Sequence, residues 1–316
     1  MISKPTLFDL QSSIQDKSAF NTLVDYYTLS QAFLNLIAEE NPTRIISPND
    51  HRYFFFQYDA TYSHKITRPL NSNLFIETID DFQQIFDHFM SILSDLKKHR
   101  SATVNKPHLQ QNIKQNEINK AVYTIQQIIG SIGDSFENSN QSRKRIGQLF
   151  ENLVKLIVKE IGFACESRTI SVPIPEAPDY KMSYELDLVF SDKSAIIASE
   201  SEFIHPDEII GSVKTTSKDR IDKIFLDKYL LSKLLGREVK VVAIFLHDVQ
   251  RARRANSIFS INSTFKTNHF LGYTVALNRM NGVYYVDPRP DMVTNPRLNN
   301  EIDNFQNFIL NDIWQL

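Results

Sequence analysis

Apolar residues recur at helical spacing through most of the first 160 positions. Residues 16–40 (DKSAFNTLVDYYTLSQAFLNLIAEE) read as a helix. So does Asp80–Lys98, whose acid-rich approach ETIDD suits a helix N-terminus. Two more helices are expected near 108–133 and at 142–161, the second opening on the basic run SRKR. RYFFFQYDATYS (52–63) interrupts them as a strand. Further on the pattern shortens. SYELDLVF (183–190), EIIGSVKT (208–215) and KVVAIFLH (240–247) read as strands, with a helix at Arg220–Leu235 between the last two. GYTVALN and GVYYVDPRP read as a hairpin, and Asn300–Asp312 as a closing helix. Helix, strand, strand, helix, strand is a mixed α/β (α+β) order. The polar, proline-ended segment HRSATVNKP (99–107) is the best linker. It divides the chain near residue 104, into a mainly helical region (1–104) and an α/β domain (105–316).

Composition narrows the class. With 316 residues and 42% hydrophobic content, the chain can bury one large core or two modest ones. Formal charge is −2, which gives no global signature of an indiscriminate nucleic-acid binder but leaves room for a local basic cleft. The single cysteine, Cys165, excludes an internal disulfide and a thiol-rich metal site, so a reducing cytoplasm is the expected setting. MISKPTLFDL has no long apolar run, so no signal peptide is expected. The longest apolar run, VVAIFL, falls far short of the roughly 20 residues that span a bilayer.

Three ionisable residues stand where ordinary cores do not place them. Strand alternation sets Leu186, Leu188 and Phe190 on one face of 183–190, and Glu185, Asp187 and Val189 on the other. Ile210, Ser212 and Lys214 share a face of the next strand. If the two strands pair, Asp187 and Lys214 can meet. In the following helix Asp227 stacks with Ile224 and Leu231, which turns it toward the core side. Glu151 flanks the apolar stripe of helix 142–161. Two carboxylates and a lysine from separate elements suit Mg²⁺, which takes few protein carboxylates and keeps waters for chemistry. A metal beside an ammonium suits phosphate-ester hydrolysis.

The order of helix Glu151, strand Asp187 and strand Ser-x-Lys (SVK, 212–214) resembles the PD-(D/E)XK nuclease fold. Ser212 replaces the acid usual two residues before the lysine. A subgroup of type II restriction endonucleases is similar in this, and supplies the missing acid from the next helix. The matching position here is Asp227, where that subgroup has glutamate. The same subgroup reads CC and GG blocks with an Arg-acid-Arg motif after the lysine. Lys218, Asp219 and Arg220 stand at that place, with lysine for the first arginine and a spacing nearer the CCNGG branch than the CCGG branch. The resemblance covers about residues 142–250. It implies metal ligation by Asp187 and Asp227, water positioning by Lys214, and support from Glu151. It also implies a Mg²⁺ cofactor, double-stranded DNA as substrate, a homodimer or tetramer, and a companion DNA methyltransferase.

Local charge agrees. Ser212–Arg254 holds 11 Lys/Arg against 5 Asp/Glu. Arg251, Arg253 and Arg254 in QRARR, and Arg143 and Arg145 in SRKR, are candidate phosphate contacts or plain solvated charge. ASESE offers Glu200 or Glu202 as a further carboxylate. YFFFQY reads as core rather than a base-stacking platform. Two rival functions share these residues: a same-fold nuclease that recognises DNA shape, and a DNA-binding module without chemistry.

Overall fold

The computed structural model describes residues 5–98, 116–197, 203–218, 220–254 and 256–316. Two threonine caps set the first helices. Thr6 and Thr22 each accept from the amide three residues on, and Asp9 and Asp25 return the bond to the cap. Helix α1 is therefore Leu7–Gln15 and α2 is Leu23–Glu40. The single helix expected from residue 16 starts seven positions later, because the Thr22–Asp25 box fixes its first turn. Strands β1 (Thr43–Ile46), β2 (Tyr53–Gln57) and β3 (Leu70–Asn71) form an antiparallel sheet. Tyr53 to Phe56 are all buried, so the aromatic run is core. Helices α3 (Ile79–Lys98), α4 (Glu117–Gly133) and α5 (Ser139–Glu160) follow. The expected linker, the division near 104 and the start of the helix expected at 108 lie outside the described residues.

The chain forms two compact units. One holds the N-terminal elements to Leu93, α4, α5 as far as Leu156, and the later segment Val249–Thr264. The other holds Ile157–Asp248 and Phe265–Leu316, with the end of α3 from Ser94.

The second unit is built on the most apolar run in the sequence. From Val241 to His247 every residue of β7 (Lys240–His247) is buried, as a strand covered on both faces requires. It lies parallel between β6 (Ile209–Thr216) and β10 (Gly282–Tyr285). The full order is β11 (Ile302–Asn304), β10, β7, β6, β5 (Ala177–Ser191), β4 (Ala164–Ile174). Its last two ladders, β6–β5 and β5–β4, are antiparallel, so the sheet is mixed. Helix α6 (Ile221–Leu235) connects β6 to β7 and ends at Gly236, whose left-handed φ of 66° closes the last turn.

Three expectations are corrected here. Thr267–Ala276 is helix α7, not the first arm of a hairpin: Phe270 packs on Phe225 of α6, and that tertiary contact overrides the local β-branched composition. β10 has parallel partners on both sides, so it has no hairpin mate. The closing helix shrinks to Phe305–Leu310, because Ile302–Asn304 adds an edge strand and Asn304 then caps the helix through Asn307 N–H.

Candidate active site

The site is made by a fault in strand pairing. Between β4 and β5 the register runs Glu166↔Val189 and then Arg168↔Leu186, so two residues of β5, Asp187 and Leu188, face one of β4. This is a β-bulge, which re-aims side chains. On its other edge β5 pairs with β6 only from Leu188 to Phe190. Gly211 permits that close approach, since a Cβ there would stand 3.3 Å from the Leu188 Cβ. At Asp187 the ladder stops and the strands part. The Val213 amide, which a continued ladder would bond to backbone, instead donates to Asp187 Oδ2 at 2.9 Å.

The bulge overturns the expected facing of β5. Met182, Tyr184 and Leu186 pack in the same cluster as Val189, against Ile210, Phe245 and helix α6. Phe190 packs instead on Phe163 and Phe308. Strict alternation would have put Leu186 with Phe190.

Asp187 and Lys214 do meet. Lys214 Nζ lies 2.5 Å from Asp187 Oδ2, with side chains 28% and 15% exposed. Ser212 Oγ donates to the same oxygen at 3.3 Å. All these bonds fall on Oδ2; among the described residues none reaches Oδ1. Asp227 is held above the usual carboxylate range by burial, with Lys223 and Lys214 opposing and Asp187 reinforcing the effect. The Asp187 and Lys214 charges therefore act on Asp227, although it belongs to another element. Its side chain is 42% exposed and pairs with Lys223 at 4.0 Å, so it stands on the rim of α6 and not on its core side. The core position belongs to the next residue. Lys228, with a side chain 0% exposed, bonds the Arg279 carbonyl, Asn281 Oδ1 at 2.9 Å and Glu238 at 3.3 Å.

These residues fit a magnesium ion. Among the described residues one Asp187 oxygen takes no bond, and Asp227 is a carboxyl whose ionised form is disfavoured until a cation offsets it. Among the described residues no group of three or more His, Cys, Asp or Glu side chains gathers as a metal cage. Two carboxylates are enough for Mg²⁺, which keeps several waters. Sequence reasoning missed Tyr184. Burial and the Asp227 charge both raise its hydroxyl, so it borders the same site.

The remaining candidates are spread out. Lys218 and Arg220 are exposed on the turn between β6 and α6, which begins at the buried Ser217. Asp219, Glu200 and Glu202 lie outside the described residues. Glu151 belongs to α5, in the other compact unit. Arg143 is exposed, but Arg145 bonds the carbonyls of Ile14 at 2.5 Å and Asp16 at 2.7 Å, closing the end of α1. Arg251, Arg253 and Arg254 are exposed on strand β8 (Val249–Arg254), which pairs antiparallel with β9 (Ser257–Ser263).

A mixed sheet flanked by helices is an arrangement this chain shares with a solved restriction endonuclease. The crystal structure of the type IIP restriction endonuclease Kpn2I matches over 98% of this chain and 96% of that one, with a TM-score of 0.66 and 16% identity. The complex of the restriction endonuclease PspGI with its substrate DNA aligns over 74% of this chain and 92% of that one, at 11% identity. Its TM-score is 0.37. No protein-family model and no curated protein matches the sequence. No described helix is long and apolar enough to cross a membrane.

Proposed function

We propose that this protein is a type II restriction endonuclease, a Mg²⁺-dependent, sequence-specific hydrolase of double-stranded DNA. The observation that carries the reading is the Asp187–Lys214 pair at the fork of β5 and β6, with Asp227 within reach of its field. The full-length likeness to Kpn2I supports the fold in which such a pair works.

Asp187, whose Oδ1 takes no bond among the described residues, and Asp227 would hold the ion. When bound, Mg²⁺ acidifies a water and neutralises charge on the phosphate. Lys214 orients the attacking water and meets the charge that grows on the phosphate oxygens. The water oxygen bonds to phosphorus as the bond to the 3′ oxygen breaks in line. The products are a 5′-phosphate and a 3′-hydroxyl. Arg220 gives two hydrogen bonds to guanine O6 and N7, Lys218 does so less rigidly, and Asp219 accepts from cytosine N4. The target is a palindrome of CC and GG blocks, CCNGG-like before CCGG. Arg143, Arg251, Arg253 and Arg254 face phosphates, and Arg145 adds only the N–H groups that α1 leaves it. Duplex symmetry calls for two such sites, hence a homodimer or tetramer, and a cell holding the enzyme needs a methyltransferase to guard its own sites.

The test is a plasmid of known sequence incubated with Mg²⁺, beside Lys214→Ala. Discrete fragments from the wild type alone establish the reading, and their ends give the site. Cutting at branched or mismatched DNA without sequence preference would favour the shape-reading nuclease. Binding without any cutting would leave the module that lacks chemistry.

A further inference from the structure

Sequence alone left the task of the N-terminal region open. The β8–β9 ribbon bears on it. Residues Val249–Thr264 follow directly from β7 yet belong to the compact unit of the N-terminal elements. The base of the ribbon is anchored there. Val249 and Ile261 pack with Tyr53 and Phe55 of β2, and Phe259 meets the Phe55 ring edge-on at 5.7 Å. Asn49 clamps the Ile261 backbone from both sides, accepting its N–H at 2.9 Å and donating to its carbonyl at 2.8 Å.

Beside these anchors the charge on the ribbon is all of one sign. Arg251, Arg253 and Arg254 are all exposed, and Val249–Thr264 contains no Asp or Glu. Among the described residues none of the three arginines is in an ion pair. Asn262 Oδ1 accepts from one terminal nitrogen of the exposed Arg254 at 2.5 Å, which leaves four further N–H donors on that guanidinium. Three uncompensated cations crowd a short strand in a chain of net charge −2. Solvent and salt screen their mutual repulsion, and a polyanion that replaces those counterions gains affinity. A two-stranded ribbon, with strands about 4.8 Å apart, matches a DNA major groove about 12 Å wide, whose two phosphate rows lie within reach of arginine.

We propose that this ribbon is a second DNA-contacting arm, lying in a groove with its arginines on the bordering phosphates. The unit formed by the N-terminal elements then takes part in substrate binding. The inference rests on the DNA reading above but not on cleavage. The arm supplies affinity that is indifferent to sequence, distinct from base reading by Lys218–Arg220.

The test uses the full chain in EDTA and a fluorescein-labelled 40-bp duplex of mixed sequence, with Kd measured across about 50–200 mM salt. Each phosphate contact contributes about 0.9 to the slope of log K against log salt, so Arg251→Gln/Arg253→Gln/Arg254→Gln should lower it by between about two and three. Over that fourfold range the wild type should lose about 40-fold more affinity than the variant. The triple Arg→Lys variant should keep the wild-type slope. A Gln variant within about half a unit of the wild type overturns the proposal, as does a Lys variant that falls as far as the Gln variant. Should the triple Gln variant fold poorly, Arg254→Gln, expected to lower the slope by about one, takes its place. A wild type that binds no duplex sinks both this inference and the DNA reading. A wild type that binds with the expected slopes yet never cuts sinks the nuclease alone.

Discussion

Breaking and then removing the Asp187–Lys214 pair separates what it does for the fold from what it does for chemistry. At 2.5 Å the raw attraction, at an effective dielectric of about 20, is about 6–7 kcal/mol. Side chains 28% and 15% exposed remain partly solvated, and desolvation takes back most of that figure. A charge-assisted hydrogen bond of this kind leaves about 2 kcal/mol net. Lys214→Ala and Asp187→Asn should each destabilise, while the double variant should recover about 2 kcal/mol of their summed cost. The cycle cancels whatever else either side chain touches. Denaturant unfolding of all four proteins in EDTA supplies the stabilities. Single-turnover cleavage of a mapped site supplies the rates. Each single variant should lose at least about a thousandfold, near 4 kcal/mol of barrier, and the double variant should be no worse than either single. A coupling below about 0.5 kcal/mol would refute the ion pair. A Lys214→Ala enzyme within about tenfold of the wild-type rate would refute the water-orienting role.

Asp227→Asn should abolish the Mg²⁺ response yet raise the metal-free melting temperature at neutral pH. The folded carboxyl sits above its unfolded value of 3.8, so ionisation works against folding once pH passes that value. The advantage of the Asn variant should grow as pH rises from about 4 to 7, and equal melting curves throughout would count against it. Arg220→Ala should blur cutting at the mapped site while leaving affinity for a mixed-sequence duplex within a few fold; unchanged site choice in a digest points to shape recognition. Lys228→Ala should destabilise by about 3 kcal/mol in urea unfolding, and Lys228→Met by clearly less, because the methionine refills the buried stem's volume.

Much of this was legible in the chain. KVVAIFLH read as a strand, and β7 is that strand, at Lys240–His247. Ser-x-Lys and the acid thirteen residues on were sequence features, and Asp187, Lys214 and Asp227 lie in one electrostatic neighbourhood. The misses have physical causes. Alternation assumes unbroken pairing, so it could not foresee that Leu186 and Val189 share a side. Helical spacing set Asp227 with Ile224 and Leu231 toward the core, whereas packing on Arg279 and Asn281 gives the buried position to Lys228. GYTVALN looked extended because its β-branched residues carry that preference locally, while the Phe225 ring that decides the matter is far away in sequence. The transfer of Val249–Thr264 to the other unit left no local mark at all.

The extra residue in β5 acts as a phase shift in the strand. On either side of it the side chains keep a two-residue beat, but the beats are half a cycle out of step. A polar group placed in the buried run from Leu188 onward would be assigned by that beat to one packed face or the other. At the slip it is assigned to neither, which is how a carboxylate sits inside a sheet without displacing core. Deleting Leu188 would bring the two halves back into step. Leu186 and Val189 would then share their side by plain alternation, and Asp187 alone would be handed to the opposite face, away from the fork it now fills. The position of Asp187 is therefore encoded by a count of residues as much as by the identity of one.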